Sequence, residues 1–328
     1  MLPRDASPRP NTLGCLNRRS VVGLPLFAAA SAGVSCLLSQ TGYAGQDQSA
    51  INSLRYCLNT STINGSKIPI RQQLKIAADA GYDGVELWLR DIDKFVSEGG
   101  QLEDLRKEMS DLGLRLESAI AFGKWIVEDA GERAAALEQC RRDMQSVSAL
   151  GGQRIAAPPV GATNAPKINL DQAAQRYREL LEVGQQCGVV PMLELWGFSH
   201  NLSTLAEVLY VAAASNHSNA CLLLDVYHLY KGGNDFANVG LIPASQMPCL
   251  HINDYPAVPD RSTISDKDRV YPGDGVAPLA SILKSLVRGG FRGVLSLELF
   301  NQDYWQFPAE QVARTGIEKI KRTTEALK

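Results

Sequence analysis

What is scarce in this chain narrows its function first. Its 328 residues include only four histidines, and its seven cysteines contain no C-x-x-C pair, which excludes cysteine-rich zinc modules and dithiol redox motifs. Neither sign of charge dominates: 33 Lys and Arg stand against 35 Asp and Glu, and the basic residues are scattered rather than striped. Such a surface predicts no nucleic-acid partner and points instead to small solutes. Long apolar runs are missing too, apart from one near the N-terminus, so no membrane span is expected in the mature protein.

That exception is "VVGLPLFAAASAGVSCLL", preceded by Arg18-Arg19 and followed by the polar "SQTGYAGQDQSA". Residues 1–50 resemble a twin-arginine-type export signal with its linker, which implies an exported, periplasmic protein. The alternative is an amphipathic or disordered leader without export. Gly42-Tyr43-Ala44 offers a small-x-small cleavage site, and Cys36 sits in a poor lipoprotein context. The cysteines beyond the leader, namely Cys57, Cys140, Cys187, Cys221 and Cys249, read as small core residues. A protein exported after folding in the cytoplasm needs no disulfide framework.

Residues 51–328 repeat one unit. Short β-rich runs ("LRYCLN", "GVELWL", "LRLESAI", "RIAAPP", "VVPMLELW", "ACLLLDVY", "PCLHIND" and "GVLSLELF") alternate with amphipathic stretches such as "RQQLKIAADAG" and "DQAAQRYRELLEVGQQCG". Several of the latter end on glycine, at Gly81, Gly113, Gly151 and Gly188, where a helix wants a left-handed C-cap. Eight βα units of this total length predict a single-domain (β/α)8 TIM barrel. A doubly wound open sheet is the runner-up, but the first strand lacks the Gly-rich dinucleotide loop.

In such a barrel the chemistry belongs at the C-terminal strand ends. Strand five ends in Glu194, strand six in Asp225, strand seven carries His251, and strand eight ends in Glu298. Period-two alternation sets Met192, Glu194 and Trp196 on one face, and Val294, Ser296 and Glu298 on another, so the carboxylates point into the barrel mouth above apolar layers. Three buried carboxylates repel unless something neutralises them. One divalent cation would do so, and three carboxylates with one imidazole suit Mn²⁺, Co²⁺, Mg²⁺ or Zn²⁺. Ion pairing to Arg or Lys is the alternative, disfavoured because no strand of this half supplies an inward-looking basic residue. His228, three residues after Asp225, is expected to lean over the same mouth from the loop.

The segments "LELWGFSH", "LLLDVYHLYKGG", "LHINDYPAVPD", "VYPGDGVAP" and "VLSLELF" resemble, in order, the xylose isomerase-like barrel superfamily of sugar phosphate isomerases and epimerases. The resemblance implies that Glu194, Asp225, His251 and Glu298 hold the metal, that Glu194 and Glu298 double as the proton-transfer pair, and that His228 and Arg261 meet substrate oxygens. A metal across adjacent hydroxyl and carbonyl oxygens acidifies the C–H between them and stabilises an enediolate. Ketose epimerases of this superfamily carry another Glu shortly after the strand-five ligand. This chain has Trp196, Phe198 and His200 there, and Trp196 and His200 become candidate substrate contacts. Lys231 is a candidate acid or phosphate contact, or a solvated loop lysine. Glu86 points inward by parity, to bind a sugar hydroxyl or to pair with a core Arg such as Arg55.

The expected activity is therefore a metal-dependent isomerase or epimerase acting on a sugar or keto-sugar. Two alternatives stay open: a lyase or hydratase acting on 3-keto-glycosides or related keto-sugars through the same first step, and a non-catalytic sugar-binding barrel. The superfamily also includes an abasic-site endonuclease, but four histidines and no basic face argue against that activity. Metal identity and any homo-oligomer are not readable from the sequence.

Overall fold

A computed structural model of the protein describes Ile51 and residues 53–327. The expected export signal, Arg18-Arg19 and Cys36 lie outside the described residues. Eight parallel strands form one sheet: β1 (Arg55–Asn59), β2 (Gly84–Trp88), β3 (Arg115–Ile120), β4 (Arg154–Ala157), β5 (Val190–Glu194), β6 (Leu222–Asp225), β7 (Cys249–Ile252) and β8 (Val294–Leu297). Their hydrogen-bonded order is β3-β2-β1-β8-β7-β6-β5-β4, and the two end strands, β3 and β4, pack against each other. This is a nearly closed (β/α)8 barrel. Each expected strand run contains one observed strand.

Helices follow the strands: α1 (Ile70–Ala80), α2 (Leu89–Ser97), α3 (Leu102–Asp111), α4 (Ala130–Ala149), α5 (Leu170–Cys187), α6 (Leu205–Ala214), α7 (Val226–Lys231), α8 (Leu279–Arg288) and α9 (Ala309–Glu325). Their ends obey local chemistry. Asn169 accepts from the Asp171 and Gln172 amides at the start of α5, and Thr204 with Glu207 forms a capping box at α6. Gly81 (φ 90°) and Gly188 (φ 70°) close α1 and α5 in the left-handed region that side chains avoid. None of the described helices is long and apolar enough to cross a membrane.

The strands are apolar on both faces because each is sandwiched. One face meets the helices, and the other fills the barrel, where Cys57, Met192, Leu223, Cys249 and Val294 pack together. Three cysteines, Cys57, Cys221 and Cys249, thus belong to the barrel interior, and burial pushes their thiols up. At the barrel floor Arg55 donates to both oxygens of Glu117, at 2.7 and 3.1 Å. The interior is apolar in its middle layer, between this ion pair below and the polar mouth above, and in the mouth's register Asp225 stands opposite His251, and His251 opposite Ser296.

Candidate active site

Asp225 ends β6 and at once caps α7, with Oδ1 accepting from the His228 amide at 2.8 Å. The capping role and the site role therefore coexist in one side chain. Oδ2, the other oxygen, accepts from Asn253 Nδ2 at 2.7 Å and from Arg269 Nη1 at 3.0 Å. The three-residue spacing to His228 is helical, not a loop as expected. His228 rides on α7 and turns its ring to the mouth, with Nδ1 buried and without a hydrogen-bond partner.

His251, on β7, is fully buried between two sets of carboxylates. Its Nε2 lies 2.9 Å from Glu86 Oε2, while Nδ1 lies 3.3 Å from Glu298 Oε2 and 3.8 Å from Asp225 Oδ2. Glu86 also accepts from Asn59 Nδ2 at 2.8 Å and from Ser296 Oγ at 2.9 Å. It neither pairs with Arg55, which binds Glu117, nor lines the open cavity. Glu86 instead faces the imidazole of His251 from behind the cluster.

Donor atoms of Asp225, His251 and Glu298 all lie within 4.8 Å of one another, and all three residues are buried. Two carboxylate oxygens and an imidazole nitrogen are donor types that suit a divalent cation, but Asp225 Oδ2 and Glu298 Oε2 are held by Arg269 Nη1 at 3.0 and 2.8 Å, so the guanidinium supplies neutralising charge that the sequence led us to expect from a cation alone. A second set, Glu86, Cys249 and His251, meets the same distance criterion. Burial and the neighbouring Glu86 push the Cys249 thiol up. Glu194, the fourth expected ligand, stands at the end of β5 on the cavity wall but outside the set whose donor atoms lie within 4.8 Å of one another. Burial pushes its carboxyl up to about 8, against the pull of His251 and with the nearby Glu298 charge adding to the rise. In Glu298 burial acts the same way but is outweighed by His251 and Arg269, which hold it at about 2.

Sequence reasoning missed Arg269. Its guanidinium is 1% exposed and bridges Asp225 and Glu298, at 3.0 and 2.8 Å from Nη1. Nη2 sits 3.2 Å from His228 Nε2 and also meets Asp266, while the guanidinium lies 4.5 and 5.1 Å from the Tyr227 and Phe300 ring centres. An inward-looking basic residue is thus present, supplied by the loop after β7 rather than by a strand. Asp254 and Val270 form a backbone bridge that turns this loop back over the barrel. The Asp254 carboxylate then accepts from the amides of Gly273, Gly275 and Ala277 at 2.9–3.1 Å. That grip accounts for the "PGDG" segment, where a side chain at Gly275 would run into the Tyr255 carbonyl.

Three other expected contacts lie elsewhere. Arg261 is exposed and does not line the cavity, since its loop segment passes outside the mouth. Lys231 donates to the carbonyls of Arg261, Ser262 and Ile264 at 2.8–3.0 Å and so holds that loop, neither free in solvent nor in the cavity. His200 is exposed, its amide bound to the Thr163 carbonyl. Trp196 does line the cavity, stacked on Phe198 with ring centres 5.2 Å apart. Gly197 between them permits the close approach of α7, for a side chain there would strike the His228 carbonyl.

Fold and site together define a (β/α)8 barrel with a buried carboxylate–imidazole cluster at its C-terminal mouth. The chain belongs to the xylose isomerase-like TIM barrel family, whose model matches residues 74–323. Among curated proteins it is 25% identical over 282 residues to an inosose isomerase of Bacillus velezensis, covering 84% of this chain and 97% of that one. It is also 25% identical to a 3-dehydroshikimate dehydratase of Pseudomonas aeruginosa, over 76% of this chain but 39% of that longer protein. Among solved structures, that of IOLI protein with a binding zinc atom aligns with a TM-score of 0.77 at 22% identity, covering 84% of this chain and 99% of that one.

Proposed function

We propose that the protein is a divalent-cation-dependent enzyme that removes a proton beside the carbonyl of a sugar or keto-sugar, with isomerisation or epimerisation as the outcome. The observation that carries this reading is the meeting of Asp225, His251 and Glu298 in one buried cluster, with Glu194 on the same cavity wall. Relatives named as an inosose isomerase and a fructoselysine 3-epimerase support the class of reaction, and the zinc in a structural neighbour supports a cation.

In this reading Glu194, Asp225, His251 and Glu298 would hold the cation, which when bound polarises the carbonyl and steadies the developing negative charge. Glu194 and Glu298 reach the mouth from β5 and from beyond β8, with β6 and β7 between them in the sheet. From there one carboxylate takes the proton from the carbon and the other returns one on its other side. His228 and Arg269 line the substrate cavity, where Arg269, its Nη1 and Nη2 engaged by Asp225, Glu298, Asp266 and His228, supplies positive charge beside substrate oxygens in the place that sequence resemblance had assigned to Arg261. Elimination is the second reading, favoured by the match to a 3-dehydroshikimate dehydratase. It shares the proton abstraction and differs only in the departure of a β-substituent. Residues 1–50 are proposed to direct export of the barrel.

Incubating metal-loaded protein with keto-sugars in D₂O tests the shared step. Deuterium should enter the carbon next to the carbonyl, and Glu194→Gln and Glu298→Gln should each abolish uptake. Uptake that survives both substitutions would remove the carboxylate pair from the mechanism.

A further inference from the structure

The cavity at the mouth, about 320 Å³, has two unlike halves. Its charged and titratable groups come from β5 and from the segments after β6, β7 and β8: Glu194, His228, Asp266, Lys267, Arg269 and Glu298. Around the remainder runs an unbroken arc of rings. Phe300 meets Trp88 edge-on at 6.0 Å, Trp88 meets Phe122 at 5.3 Å, Phe122 meets Trp196 at 6.2 Å, and Trp196 stacks on Phe198 at 5.2 Å. The arc ends on the His228 imidazole, 5.4 Å from Phe198. Phe122 and Phe198 remain 46% and 40% exposed, although both belong to this concave wall.

A bare sugar does not match such a wall. One or two rings suffice to cover the C–H face of a pyranose, whereas its hydroxyls, pressed against Phe122 and Phe198, would lose water without gaining partners. On the side built by β2, β3 and their following loops the lining residues are Trp88, Ile120 and Phe122, while the ammonium of Lys267 and the amide of Gln302 line the cavity from the loops after β7 and β8. Exposed aromatic surface contiguous with a charged, buried cluster marks a ligand with one polar and one apolar end.

We propose that the substrate is a sugar or keto-sugar bearing an aryl group, the polyol part lying toward the carboxylates and the aryl part on the ring of Trp196, Phe198 and Phe122. This rests on the proton-abstraction reading for the identity of the polar end, but the aromatic end stands on the wall alone. It also separates this chain's substrate from unsubstituted ketoses and inososes, for which the outer half of the cavity would serve no purpose.

The test compares phenyl β-D-glucopyranoside with methyl β-D-glucopyranoside by calorimetry on full-length, Mn²⁺-loaded protein, with tryptophan quenching as a second readout. The phenyl compound should bind at least about tenfold more tightly, as burial and stacking of one ring imply. Phe122→Ala and Phe198→Ala, checked for folding by circular dichroism, should each reduce that preference. Equal binding of the two probes, no binding by either, or a preference untouched by both substitutions overturns the proposal. Deuterium exchange into keto-sugars by the wild type reports separately on the reaction. Exchange without aryl preference leaves the proton-abstraction reading standing and removes this one, whereas aryl preference without exchange does the reverse.

Discussion

Arg269 Nη1 lies 3.0 Å from Asp225 Oδ2, a contact between residues 44 positions apart in which both side chains are buried. The same nitrogen reaches Glu298, so one guanidinium holds together two carboxylates that would otherwise repel. Burial disfavours the Arg269 charge, but Asp225, Asp266 and Glu298 more than restore it, and its pKa is raised. Removing that charge should cost a great deal. Arg269→Gln is expected to lose roughly 3–5 kcal/mol in urea unfolding with chelator present, the usual penalty for leaving a buried ion unpaired. Saturating Mn²⁺ should recover much of the loss, since a cation in the cluster compensates the same oxygens. An equal loss with and without Mn²⁺ would mean that the cluster does not take up the ion.

Lys231 and Arg261 should separate cleanly in mutagenesis. Lys231 ties down three carbonyls of the loop after β7, so Lys231→Met should raise the proteolytic cleavage rate near residues 261–264. Arg261→Ala removes an exposed side chain and should change stability by less than about 0.5 kcal/mol. A large fall in substrate affinity for Arg261→Ala alone would return that residue to the site.

Much of this architecture was legible in the sequence because each barrel strand is a short apolar run closed by a polar residue, and because helices announce their ends. Asn169 and Gly188 bracket α5 as their chemistry requires. The four candidate ligands were legible for a related reason: a carboxylate or histidine late in such a run has few places to go but the mouth. Arg269 was not legible. Two arginines lie in the same loop, and only the Asp254–Val270 bridge, a long-range pairing without a local signature, decides which returns to the barrel. Trp196 was expected at the site and Phe198 stood beside it in the sequence, but Phe122 escaped, because it lies past the end of β3, where periodicity carries no information. Glu86 was legible as inward-facing, but its partner His251 comes from the far side of the sheet order.

The capping box at α6 offers a check on the scaffold away from the site. Glu207 accepts from the Ser203 and Thr204 amides and pairs with Lys167. Partial burial opposes its ionisation, but Lys167 and the amides prevail, and its pKa is lowered from 4.5. A depressed carboxylate stabilises the fold above its unfolded pKa and loses that contribution as pH falls through the folded value. Glu207→Gln should therefore cost about 1 kcal/mol at pH 7, with the gap to wild type closing below about pH 4. Urea titrations at the two pH values measure it, and a gap that widens with acid would reverse the assigned sign.

Export is testable without reference to the barrel. Replacing Arg18 and Arg19 by Lys should hold the protein in the cytoplasm, as fractionation and immunoblotting would report. Unchanged export would remove the twin-arginine reading.

The central claim is that Asp225, His251 and Glu298, with Glu194, form a site for one divalent cation. Calorimetric titration of chelator-treated protein with Mn²⁺, alongside Asp225→Ala, tests it most directly. About one ion per chain should bind to the wild type, and the substitution should abolish that binding, because it removes a donor from a buried set of few. Identical titration curves for the two proteins, or no saturable binding by the wild type, would contradict the account.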